Sequence, residues 1–225
     1  LGGGPAEFSI VDMTLRGGLG DVPTRRQALP TLGGTPPPQR VCEKVIATRD
    51  AAGTGFWVLF HEFTQNAAGS NAIYAYHLSA TGIDAVRVSN VGTPIGNTTS
   101  FSRGEMKISP DGTWLATANE NQVCELFRFN NSTGAVTLVT TLDNGQQHYG
   151  VSFSPNSRLL YINDGWNTQP RSIDQFNLAN PTAAAILASR VEVGVSATGF
   201  LGGMQIAPDG RIYIAHNNAN TLSVI

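Results

Sequence analysis

Lysine is almost missing from this 225-residue chain: Lys44 and Lys107 are the only two, and the rest of the fourteen basic residues are arginine. Against sixteen acidic residues they leave a formal charge of -2. That balance argues against a polyanion-binding surface, and no nucleic-acid partner is expected. Charged residues of all kinds make up 13% of the chain, about half the usual share. Cysteine is scarce too, with only Cys42 and Cys124. A chain this long can bury a sizeable core without a disulfide framework. No run approaches the ~18 apolar residues of a membrane helix, and no basic-then-apolar leader stands at Leu1. The segment is therefore expected to be soluble, without membrane insertion. Against these shortages stand 25 glycines and 12 prolines. They punctuate short apolar runs with turns, the profile of an all-β protein.

One phrase recurs: an apolar strand running into a proline-containing turn and out into a second strand. It occurs at Met106–Leu115, at Val151–Leu160 and at Met204–Tyr213, with turn prolines at Pro110, Pro155 and Pro208, spaced 45 and then 53 residues apart. Proline pre-sets the backbone angle of the second turn position, Asp or Asn suits the next, and glycine supplies a left-handed residue, so each copy closes a hairpin. A degenerate copy without proline runs from Lys44 to Asp50, turns through Ala51–Gly55 and returns as Phe56–Phe60. A third alternating run follows each hairpin, at 72–79, 122–130, 171–179 and 220–225. A fourth is visible at 85–91, 135–143 and 185–193. Four short strands per unit of about 45 to 53 residues predict the blades of a β-propeller.

The expected division is a blade remnant over 8–40 and blades over 43–91, 104–143, 149–193 and 202–225. Residues 8–15, followed by a glycine-rich turn, read as the third strand of a preceding blade. About four blades are fewer than most closed propellers contain. The chain is therefore expected to be a fragment of a larger propeller of seven or eight blades, the alternative being a small ring closed by its two ends. Gly33–Pro38 reads as an extended connecting loop, and no amphipathic helix is expected.

In a propeller, successive connections alternate between two faces. The hairpin turns share one. The second-to-third connections and the crossings between blades share the other, and here those segments are longer and more varied: 64–71, 92–103, 144–148, 165–170 and 194–201. Variable loops on a rigid scaffold are where recognition resides. The candidate contacts on that face are Phe101, Arg103, His148, Tyr149, Trp166, Asn167, Arg171 and Phe200. Aromatics give contact area at small entropic cost, and arginine adds planar hydrogen bonding. Tyr149 and Phe200 read more readily as caps on the core between blades than as ligand contacts.

No catalytic set is recognisable. His61 and Glu62 are adjacent on a strand and point to opposite sides, so they cannot converge on one ion. His77 and His216 have no partner at ligand spacing. No cofactor is expected. Among metals calcium is favoured over zinc, since Asp, Asn and loop carbonyls abound, although no Asp-rich calcium loop is visible. Gly17–Gly20 reads as a turn, because no helix pattern follows to present amides to a phosphate. Cys42 and Cys124 fall in different blades and are expected to be two buried thiols. The sequons at Asn97 and Asn131 carry little weight in so Asn-rich a chain.

The segment Phe8–Val22, with its FSIVDMTLRGGLGDV run, resembles the propeller region of large exported Bacteroidota proteins that carry type IX secretion or gliding-motility-associated C-terminal sorting domains. The likeness continues in order through Glu43–Val45, Phe56–Val58 with His61 and Glu62, Ala72–Tyr76, Val88–Gly92, Glu125–Asn130, Tyr149–Pro155 and Gly210–Ala215. It implies export to the cell surface or medium, implies that the chain is part of a longer propeller, and carries over no catalytic residue.

Three functions are compatible with these readings. The leading one is a non-enzymatic module of a secreted or surface-attached protein, for adhesion or for binding a surface glycan or protein. The second is a lactonase-like or quinoprotein-like propeller enzyme, using Arg103, Glu105, His148 and Asp164. The third is a structural or self-associating subunit whose incomplete blades are finished by a neighbour.

Overall fold

The computed structural model describes residues 4–96, 99–144, 147–164, 171–196, 199–217 and 219–225. Its strands fall into antiparallel sheets in the order in which the chain makes them. A hairpin of β1 (Glu7–Asp12) and β2 (Asp21–Ala28) comes first. The first full sheet holds β3 (Val41–Arg49), β4 (Phe56–Glu62), β5 (Ser70–Ser79) and β6 (Gly82–Ile95). The second holds β7 (Met106–Ile108), β8 (Trp114–Ala118), β9 (Val123–Asn130) and β10 (Ala135–Asn144). The third holds β11 (Val151–Phe153), β12 (Leu159–Asn163), β13 (Arg171–Asn177) and β14 (Val191–Ser196). The last is three-stranded: β15 (Leu201–Ile206), β16 (Ile212–His216) and the short β17 (Ser223–Val224). The first strands of neighbouring sheets, β3 with β7, β7 with β11 and β11 with β15, lie against one another. The chain is an all-β propeller whose blades radiate from an axis lined by those four strands.

A four-stranded sheet cannot cover its own two apolar faces, so each blade is buried by the next. Trp57, Leu59, Ile73 and Ala75 of the first full sheet meet Met106, Leu115, Phe127 and Phe129 of the second. Trp114, Ala116, Cys124 and Leu126 pass the same contact on to Val151, Phe153, Leu160 and Ile162. Tyr161 and Ile173 pass it on again to Leu201, Met204, Ile212 and Ile214. Alternate residues of one strand thus serve opposite neighbours, as the two-residue period of a strand requires.

The turns are built as their residue types predict. Ser109 Oγ donates to Asp111 Oδ1 at 2.6 Å and accepts the Trp114 amide at 3.0 Å. Ser154, Asn156 and Leu159 repeat that pattern. Ser157 takes the left-handed place that Gly112 fills in the previous copy, with φ of 60°. Cys42 and Cys124 are buried free thiols, as expected. Among the described residues no helix is long and apolar enough to cross a membrane.

Three local expectations are corrected. The strand predicted over 8–15 stops at Asp12, because Asp12 Oδ1 captures the Thr14 amide and hydroxyl at 2.9 and 2.6 Å and turns the chain away. The run at 185–193 does not begin as a strand. Residues Ala183–Ala188 form a short helix α1, capped by Thr182, whose Oγ1 accepts the Ala185 amide. Successive alanines favour that turn of helix, and it seats Ile186 in the core beside Leu178. At the far end the 220–225 run pairs with β16 over its last residues, Ser223–Val224 as strand and Ile225 through both backbone hydrogen bonds to Ile212.

Candidate functional site

The axis-lining strands present alternate residues to the channel. On β3 these are Glu43 and Val45, both exposed, between buried Cys42 and Lys44. Beside them Glu105, just ahead of β7, and Lys107 on it come from the second blade, and Tyr149 from the crossing into the third. Together with Gly104 and Gly203 these residues line a cavity of about 460 Å³ at the channel.

The hydrogen bonds in this cavity tie the blades together. Glu43 Oε1 accepts the Gly104 amide at 3.0 Å and the Tyr149 hydroxyl at 3.2 Å, joining three blades. Burial, reinforced by the Glu43 carboxylate, pushes the Tyr149 phenol up to about 12, so it stays a hydrogen-bond donor at neutral pH. Glu105 Oε2 accepts two amides, Val151 at 3.2 Å and Met204 at 2.9 Å, while its other oxygen lies 3.4 Å from Lys107 Nζ. Gly203 makes this reach feasible: a Cβ there would stand 2.7 Å from Glu105 Oε1. Lys107 also donates to Gln205 at 3.1 Å. Lys44 is turned away from the channel and donates to the carbonyls of Ser102 and Arg103, both at 3.0 Å. Burial holds its ammonium below the usual lysine range, opposed by the nearby charges of Cys42, Glu43 and Glu120.

The predicted contact residues separate into groups. Tyr149 stands at the channel, while Arg103, outside the cavity-lining set, is paired with Glu120 at 3.0 Å. Phe101 is half-buried against Cys42, Phe63 and Ile95. His148 is 0% exposed, its Nδ1 3.2 Å from the Asn163 carbonyl and its Nε2 4.0 Å from Asp143 Oδ1. Arg171 and Phe200 stack on each other at 4.6 Å, away from the cavity-lining set. Trp166 and Asn167 lie outside the described residues. Sequence reasoning did not single out Glu43 or Lys107 for the site. The signal for Glu43 was its place between buried Cys42 and Lys44 on β3, and for Lys107 its place beside buried Met106 on β7.

No family model matches the chain, and no curated protein matches it. Solved structures do. A protein from Bacteroides uniformis provisionally assigned as a 6-phosphogluconolactonase aligns with 96% of this chain and 59% of its own, at TM-score 0.56 and 14% identity. One from Bacteroides fragilis with the same provisional assignment aligns over 97% and 60%, at 0.57 and 12%. The β-propeller domain of Cps50 (Swd1) from Myceliophteria thermophila aligns over 98% and 64%, at 0.58 and 11%. At such identities the likeness shows the fold. The chain spans about three fifths of the length of these structures.

Proposed function

We propose that this chain is a non-enzymatic binding module of a secreted or surface-attached bacterial protein, which takes a surface glycan or a protein segment at the mouth of its channel. The observation that carries this reading is the convergence of Glu43, Lys107 and Tyr149, from three successive blades, on one cavity of about 460 Å³. Acceptors and donors alternate there beside an aromatic ring, the composition of a pocket for a polar ligand of little net charge. The placement of the rival catalytic set favours binding over hydrolysis. Both backbone hydrogen bonds of Glu105 serve to hold β11 and β15, and His148 has no solvent-exposed surface. Export is supported by the family likeness of the Phe8–Val22 segment.

The test is a binding screen of the whole chain against surface polysaccharides and cell-envelope proteins, run alongside assays of lactone hydrolysis. Binding that falls roughly tenfold, or ~1.4 kcal/mol, in both Glu43→Gln and Lys107→Met is the expected result. Hydrolysis abolished by Glu105→Gln and Asp164→Asn, with no ligand retained, would replace this reading by the enzymatic one.

A further inference from the structure

The channel cavity carries one carboxylate that the chain does not match. Behind burial, the charges of Glu43, Glu105 and Glu120 all raise the Tyr149 phenol, which places three acids around it. Two of the three are paired within the chain. Glu105 Oε1 lies 3.4 Å from Lys107 Nζ, and Glu120 Oε2 lies 3.0 Å from the Arg103 guanidinium. Glu43 forms no ion pair among the described residues. Its neighbour Lys44 lies on the other face of β3, buried, where its ammonium donates to the Ser102 and Arg103 carbonyls. Glu43 gives one oxygen, Oε1, to two neutral donors, the Gly104 amide and the Tyr149 hydroxyl. These bonds hold the carboxylate in place, and its Oε2 has no hydrogen-bond partner among the described residues. Lys107, directed at Gln205 and Glu105, has a third N–H to offer. Val45 and Ile46 add apolar wall beside these groups.

We infer that the cavity receives an amino sugar with a free amino group, part of a surface polysaccharide, its ammonium against Glu43 Oε2 and a hydroxyl oxygen against Lys107. This names the ligand class of the binding role proposed above and rests on that reading. Such a guest brings a cation to the unmatched acid, an acceptor to the remaining lysine N–H and C–H surface to Val45 and Ile46. A carboxylate held in a partly enclosed cavity gains more from an ammonium than one in open water, because the effective dielectric is lower. Because Glu43 is already fixed by Gly104 and Tyr149, little side-chain freedom is lost on binding. N-acetylation of the sugar turns its ammonium into a neutral amide and removes the gain. An acidic or phosphorylated sugar would set a further anion beside Glu43, a repulsion that discriminates against it. A lysine side chain would match Glu43, but its methylene stem brings no acceptor to Lys107.

Two labelled oligosaccharides of equal length serve as probes for the intact chain: a glucosamine tetramer and its fully N-acetylated counterpart, at a mildly acid pH that keeps the amines protonated. Fluorescence anisotropy should show the free-amine tetramer binding roughly tenfold tighter, and added salt should narrow that gap. Glu43→Gln keeps an oxygen for Gly104 and Tyr149, so its melting temperature should be unchanged. In that variant the preference should disappear, while the acetylated tetramer binds as before. The preference should survive Lys107→Met, which lowers the binding of both sugars. Equal binding of the two tetramers, both weakened by Glu43→Gln, overturns the amino-sugar assignment and leaves the binding role standing. A preference that persists in Glu43→Gln overturns it too, because the ammonium is then held elsewhere. So does failure of the glucosamine tetramer to bind. A lysine-bearing peptide that binds in its place, and is lost on acetylation, would make the guest a protein segment.

Discussion

At the scale of single residues, two histidines titrate in opposite senses. His77 sits between two carboxylates, its Nδ1 2.7 Å from Asp84 and its Nε2 3.1 Å from Asp50. The hydrogen bond to Asp84, and then that to Asp50, raises it above its ordinary value of 6.5 against the opposing effect of burial. The clamp is therefore complete below pH 6.5 and is lost as pH rises through the raised value. His61 is buried, and burial pushes it down to about 4. The unfolded chain takes up its proton near 6.5 while the folded chain does not, so His61 erodes stability as pH falls from 6.5 toward 4. Melting temperatures recorded from pH 4 to 8 should thus lose their alkaline decline in His77→Asn and part of their acid decline in His61→Gln. Profiles identical to that of the unmodified chain would refute both assignments. These pairings were invisible in the sequence, because 27 residues separate His77 from Asp50. The Glu43–Tyr149 bond spans 106 residues, which is why Tyr149 could be named for its type and its loop but not for its partner.

At the scale of elements, the hairpins were legible because their chemistry is local: Ser109, Pro110, Asp111 and Gly112 make their turn among themselves. The strand expected over 185–193 begins as helix because the alternation of Val191, Glu192 and Val193 does not extend back into the continuous apolar run 183–188, where the capping Thr182 and the alanines favour the helix. The closest approach between strands depends on residues that carry little pattern of their own. Asn163, at the end of β12, accepts the Tyr149 and Gly150 amides at 3.2 and 2.9 Å and donates to the Gly202 carbonyl at 2.6 Å. Asn163→Leu leaves all three backbone groups without that partner, at ~1–3 kcal/mol each. A loss of about 3 kcal/mol or more in urea unfolding is expected. Gly150→Ala should cost ~1–3 kcal/mol by overpacking, since a Cβ there would stand 2.4 Å from the Gly202 oxygen. A neutral result for either would mean that β11 and β15 can separate without loss.

At the scale of the molecule, stability is a chain of neighbouring interfaces, and polar links supplement the apolar ones. Arg190 bridges Asp143 of the second blade, at 2.7 Å, and Asp174 of the third, at 2.6 Å. Both carboxylates are largely buried while the arginine is partly exposed. Arg190→Met strands two acids, and the penalty expected for a buried pair, reduced for the solvent reaching the guanidinium, is ~1–3 kcal/mol. Chemical denaturation at low and high salt measures it: the deficit relative to the unmodified chain should persist in high salt, because buried charges are poorly screened. A deficit that vanishes in salt would place the pair at the surface. Glu105 couples blades in a different manner. One carboxylate oxygen fastens two successive spokes to a third, Val151 at 3.2 Å and Met204 at 2.9 Å. A rivet of this kind adds a polar lock near the hub to the apolar contacts that space the spokes further out.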